Sequence, residues 1–154
     1  MTLYLFALLI GVIAGLRAMT APAAVSWAAW MGVAPLAGTA LGFLGSIITA
    51  VIFTVLAIGE LISDQLPKTP SRKVPTQFIA RLVTGGLSGA AIGLSGGALV
   101  GGLIAGVIGS IIGTFAGAEA RGRMARAFGR DTPAALIEDG VAIFGAVAIV
   151  ALLA

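Results

Sequence analysis

Seven ionisable residues stand inside or beside long apolar runs: Arg17, Glu60, Asp64, Arg81, Glu119, Glu138 and Asp139. Burying a charge in hydrocarbon costs at least a few kcal/mol, so such residues usually face protein or water and usually pair. Glu60 and Asp64 are four apart, on one face of a helix end. Two acids at that spacing repel each other, and they sit at the unfavourable C-terminal end of the helix dipole. Something must offset that cost: a guanidinium, a basic loop, a proton or a bound cation. Glu60, Asp64, Glu119, Glu138 and Asp139 are therefore the candidate ion- or solute-binding residues, with Arg17 and Arg81 as candidate counter-charges. Each also has a plainer explanation. Arg17 and Arg81 can snorkel to an interface, and Glu138 or Asp139 can answer a helix N-terminus.

Other chemistry has little to work with. Cysteine and histidine are both absent, which removes thiolate nucleophiles, imidazole bases and the commonest zinc ligands. Gly-Leu-Ser-Gly occurs at 86–89 and again, overlapping a turn, near 93–96, but a serine nucleophile needs a strand–turn–helix setting that this sequence lacks. No enzyme activity and no cofactor is expected, and the residue pattern leaves any metal unspecified.

The elements that would hold these charges are helices in a bilayer. Of 154 residues, 59% are apolar and 10% charged, against about 45–50% and 25% in soluble domains. Mean hydropathy is +1.13. The reading is an all-α membrane protein, residues 1–154 forming a single integral-membrane domain with about five short transmembrane helices. Residues 3–16 form the first, about 21 Å long at 1.5 Å per residue and short of a core of about 30 Å. A cleaved signal peptide is disfavoured, because no basic segment precedes the run. Residues 18–36, broken by Pro22 and Pro35 and carrying Trp27 and Trp30, read as an outer interfacial or re-entrant segment. The rival is a complete extra span, which would move the N-terminus to the other side. Further spans fall at 39–62, which Pro67 ends, then 76–94, 98–118 and 134–153.

Bases collect in two segments: Lys68, Arg72 and Lys73, then Arg121, Arg123, Arg126 and Arg130. Both are expected to be cytoplasmic loops contacting anionic lipid. With two spans between them and one before Thr39, the N-terminus is expected on the cytoplasmic side and the C-terminus outside. The net charge of +3 is the product of these loops and is no nucleic-acid footprint.

Between the loops, Gly85, Gly89, Gly93, Gly97 and Gly101 recur every four residues, and Ala105, Gly109, Gly113 and Gly117 continue the row. Small residues at that spacing let helices approach closely in lipid; a pore lining is the sharper alternative. A faint duplication relates 39–94 to 98–153. A shift of 59 places Glu60 on Glu119, and a shift of 58 places Pro75 on Pro133 and Arg81 on Asp139.

Gly15-Leu16-Arg17 and the stretch Gly59-Glu60-Leu61-Ile62-Ser63-Asp64-Gln65-Leu66-Pro67 resemble the bacterial integral-membrane family called domain of unknown function 4126. The resemblance covers most of the chain, and Glu-Leu-x-x-Asp-x-Leu-Pro is its specific part. It implies a small multi-pass protein of the bacterial inner membrane, with no established substrate and no catalytic residues. Lys68-Thr69-Pro70-Ser71-Arg72 is more basic than that family leads one to expect. Together these features favour a homo-oligomeric transporter or channel for a small solute, cation or proton, using acids at cytoplasmic helix ends. The alternative is a structural or accessory membrane protein that moves nothing.

Overall fold

In the computed structural model, which describes residues 1–66, 71 and 73–154, the regular elements are helical: α1 (Thr2–Leu16), α2 (Thr20–Trp30), a 3-10 turn (Gly42–Gly45), α3 (Ile47–Ser63), α4 (Pro75–Ser95), α5 (Leu99–Phe128) and α6 (Asp131–Leu153). Lys68, Arg72 and Pro67, on which sequence expectations rest, lie outside the described residues.

Three helices, α4, α5 and α6, are long and apolar enough to cross a membrane; α1 and α3 are shorter apolar helices. The expected span 39–62 is divided. Ser46 is extended, and its hydroxyl accepts from the Ile48 N–H to start α3. Pro22 does not interrupt a helix. It lies in the first turn of α2, where a backbone N–H has no partner to lose. The segment expected to be a second basic loop is largely helix. α5 carries Arg121, Arg123 and Arg126 on its last turns and stops at Gly129, whose φ of 75° suits a residue without a side chain.

α1, α4 and α5 form the tight centre. Gly11 of α1 lies on Gly106, and Gly15 on the stretch from Ser110 to Thr114, so α1 and α5 run parallel. α4 runs against both, with Gly85, Gly89 and Gly93 facing Ser110, Gly106 and Gly102 in that order. A methyl group at Gly11, Gly89 or Gly106 would strike the main chain of the neighbouring helix. The small residues thus pack as expected, but within one chain and on two different faces. Gly97 is not part of the row; it turns α4 into α5 with φ 77°. Gly101 sits under the Tyr4 ring. Ile10, Ile13 and Ala14 of α1 join Val25, Ile92, Ala142 and Ile149 in the apolar core. α3 leans on α2, where the Trp27 indole donates to Thr54 Oγ1 at 2.9 Å.

The N-terminus was expected on the side of the basic loops. Leu3 packs on Gly96 and Tyr4 on Gly101, at the start of α5, whereas Arg121–Arg130 lie at its other end. The N-terminus thus lies at the opposite end of the bundle from Arg121–Arg130. The cause is α2, which carries the chain back from the Arg17 end: residues 18–36, read as an interfacial or re-entrant segment or else as an extra span, hold a short returning helix after α1.

Candidate functional site

The hairpin's tip has two exposed problems. α1 ends with carbonyls that have no helical partner, and α2 begins with N–H groups in the same state. Side chains from other helices answer both. Arg81, six residues into α4, donates from Nη1 to the Gly15 carbonyl at 2.7 Å. Glu60, near the end of α3, accepts from the backbone N–H groups of Ala18 and Met19, each at 2.8 Å. Arg81 Nη2 and Glu60 Oε1 are 3.7 Å apart. Glu60 therefore sits at the wrong end of its own helix dipole because it caps a different helix, where negative charge is favoured.

Arg17 follows directly and is fully buried. Its Nε donates to Asp139 Oδ1 at 2.6 Å, and its Nη1 is paired with Asp64 Oδ2. Nη1 also lies 3.5 Å from Glu138 Oε2 and donates to the Leu16 carbonyl at 3.3 Å. One guanidinium thus holds three acids from two helices. Those hydrogen bonds to charged groups are the strong kind, and they offset the repulsion among Asp64, Glu138 and Asp139.

Arg121 closes the cluster from the basic end. Its Nε and Nη2 donate to the two carboxylate oxygens of Asp131 at 3.0 and 2.6 Å. Nη1 lies 3.3 Å from Glu138 Oε2 and 4.0 Å from Asp64 Oδ2, and Nη2 donates to the Asp64 carbonyl at 3.3 Å. Gln65 Nε2 donates to Asp139 Oδ2 at 3.0 Å.

The cluster is not at the bundle's surface. Arg81 lies about 9 Å along α4 from Pro75 and about 21 Å from Ser95, at 1.5 Å per residue. α1, α2 and α3 all have one terminus at this level.

Of the five candidate acids, the fold gathers Glu60, Asp64, Glu138 and Asp139, with both expected counter-charges, Arg17 and Arg81. Glu119 is excluded. Its carboxylate is 62% exposed and pairs with Arg123 Nε at 2.8 Å, one turn away. The buried face of α5 runs through Gly106, Ser110, Gly113 and Gly117. Two residues past Gly117 is about 200° around the helix, hence outward. Of the expected lipid-contacting bases, Arg123, Arg126, Arg130 and Lys73 are exposed, and Lys73 Nζ sits 5.6 Å over the Phe115 ring. Arg121 instead turns inward. Sequence reasoning missed Arg121 because it ended α5 at 118, and it passed over Gln65 although that residue adjoins Asp64.

Among the described residues no group of three or more acids is disposed to hold a metal ion; each carboxylate of the cluster is turned toward a guanidinium or a main-chain N–H. Comparison of the chain with protein-family models, with curated proteins and with solved structures gave no match.

Proposed function

We propose that this is a small multi-pass membrane protein that moves a proton, small cation or small solute, with the acids around the α1–α2 tip as its binding site. The carrying observation is the meeting of two helix ends with Glu60, Asp64, Glu138 and Asp139 at about a third of the depth of α4. Helix ends and paired charges inside a membrane are costly, and they recur where transporters and channels bind their cargo. The membrane reading is supported by outward-facing aliphatic and aromatic residues such as Val55, Ile104, Ile108, Phe144 and Val147. A water-facing surface this apolar would aggregate.

In this reading the basic end is cytoplasmic, by the positive-inside rule. Arg123, Arg126, Arg130 and Lys73 meet anionic lipid headgroups there. A second copy of the chain completes the working unit, and the membrane is the bacterial inner one. Membership of the domain-of-unknown-function-4126 family belongs to the same proposal, on the strength of residues 59–67.

Reconstitution into liposomes tests it. Proton and monovalent-cation flux above that of protein-free vesicles is expected. Glu60→Gln and Asp64→Asn should each lower that flux at least tenfold, while Glu119→Gln, far from the cluster, should leave it unchanged. Equal flux in all four proteins removes the cluster from the mechanism.

A second reading, an accessory protein with no cargo, is favoured by one observation: the four acids are already held by arginines or backbone N–H groups. It predicts no flux in any variant, together with lost stability in the cluster variants.

A further inference from the structure

Buried or half-buried hydroxyls in this chain mostly satisfy themselves on their own helix. Thr54 donates to Ala50, Thr84 to Ala80, Ser95 to Ile92, Ser110 to Val107 and Thr114 to Ser110, at 2.7–3.0 Å. Among the described residues, three buried hydroxyls have no hydrogen-bond partner: Thr20 and Ser26 on α2, and Ser88 on α4. Ser26 and Ser88 are wholly inaccessible, and Thr20 is 8% exposed. A buried hydroxyl left unpaired forfeits the hydrogen bonds it had in water, so three on two packed helices call for an occupant.

Their placement is ordered. Thr20 opens α2, next to the Ala18 and Met19 N–H groups that Glu60 holds. Arg81, Thr84 and Ser88 follow at spacings of three and four, on one face of α4. Ser26 lies about 9 Å along α2 from Thr20, and Ser88 about 10 Å along α4 from Arg81, both toward the end away from the bases. α2 and α4 pack against each other. The unpaired hydroxyls thus begin beside the Glu60–Arg81 pair and continue along the two packed helices, away from the bases.

We infer that ordered water molecules bridge Thr20, Ser26 and Ser88, forming a hydrogen-bonded line on the α2 and α4 side, and that the species carried along it is the proton. A hydroxyl or a water can accept a proton on one lone pair and release another from its O–H, so charge passes and each group returns to its starting state. Nothing ionised stands along this stretch to replace the hydration shell of a metal cation, and each water needs only two to four polar partners. This identity of the cargo rests on the transport reading; the presence of the waters does not.

Two measurements on the full chain in nanodiscs and liposomes separate those claims. Radiolytic hydroxyl labelling marks side chains beside bound water. Leu87, the half-buried chain neighbour of Ser88, should be modified at least fivefold more in the wild type than in the double variant Ser26→Ala/Ser88→Ala. Equal labelling of Leu87 in the two proteins overturns the waters. In liposomes, the same double variant should lower proton flux about tenfold, with its thermal midpoint kept. Wild-type proton flux that the double variant retains in full overturns the path. A wild type that passes no proton overturns the transport reading, and the labelling still decides on the waters.

Discussion

Replacing Arg17 with methionine keeps most of the side chain's volume and removes its charge. The structure then leaves Asp64, Asp139 and Glu138 facing one another around an apolar thioether, with Arg121 as the nearest remaining base and Gln65 as a neutral donor. Removing one partner of a buried ion pair costs about 3–5 kcal/mol, because the other partner stays buried and uncompensated. In a chain of this size each kcal/mol shifts the thermal midpoint by about 2–4 °C, so Arg17→Met should melt about 6–20 °C lower in detergent. Arg17→Lys keeps the charge and loses the forked geometry that reaches two helices at once, so it should fall between the two. The decisive comparison is the triple change Arg17→Met/Asp139→Leu/Asp64→Leu, which removes the two acids paired most closely with Arg17. It should recover more than half of the loss, since apolar replacement of a whole buried pair is often neutral. A single Arg17→Met variant melting within about 1 °C of wild type would refute the assignment of Arg17 as the hub of the cluster.

Gly106→Ala places a methyl against the Gly85 carbonyl and Gly89 Cα, and thermal unfolding should register a loss of about 1–3 kcal/mol from overpacking. Gly140→Ala, with nothing within 4 Å of the added atom, should instead raise the midpoint, through a helix-propensity gain of up to about 1 kcal/mol. Glu119→Gln should leave the thermal midpoint unchanged, since its pair with Arg123 is exposed to solvent. Single cysteines at Thr2 and Ala127, probed with a membrane-impermeant maleimide on oriented vesicles, should be labelled from opposite sides; labelling from the same side would contradict the antiparallel return of α2.

The helical class, the three long apolar helices and the acids that the fold gathers were legible because each rests on a local signal: apolar length, a proline at a helix start, an acid inside an apolar run. The pairing of Arg17 with Asp64 and Asp139 was not, since it depends on direction. Residues 18–36 had to be recognised as a returning helix, and Pro22 pointed the wrong way because a proline in the first turn and a proline breaking a span look alike in sequence. Glu119 failed for a related reason. A shift of 59 aligned it with Glu60, but one residue of register is about 100° on a helix, enough to turn a carboxylate from the interior to the outside. The role of Glu60 as a cap for α2 was foreshadowed only as an anomaly, an acid where the dipole disfavours one.

The contact between Gly11 and Gly106 sets an order on biosynthesis. Translation at about 5–20 residues per second separates the emergence of those two glycines by roughly 5–20 s. During that interval the hairpin's tip has Glu60 available before Arg81, and neither backbone face of α1 has the helix it fits. The first thirty residues therefore lack the helix they pack on until the last third of the chain has been made.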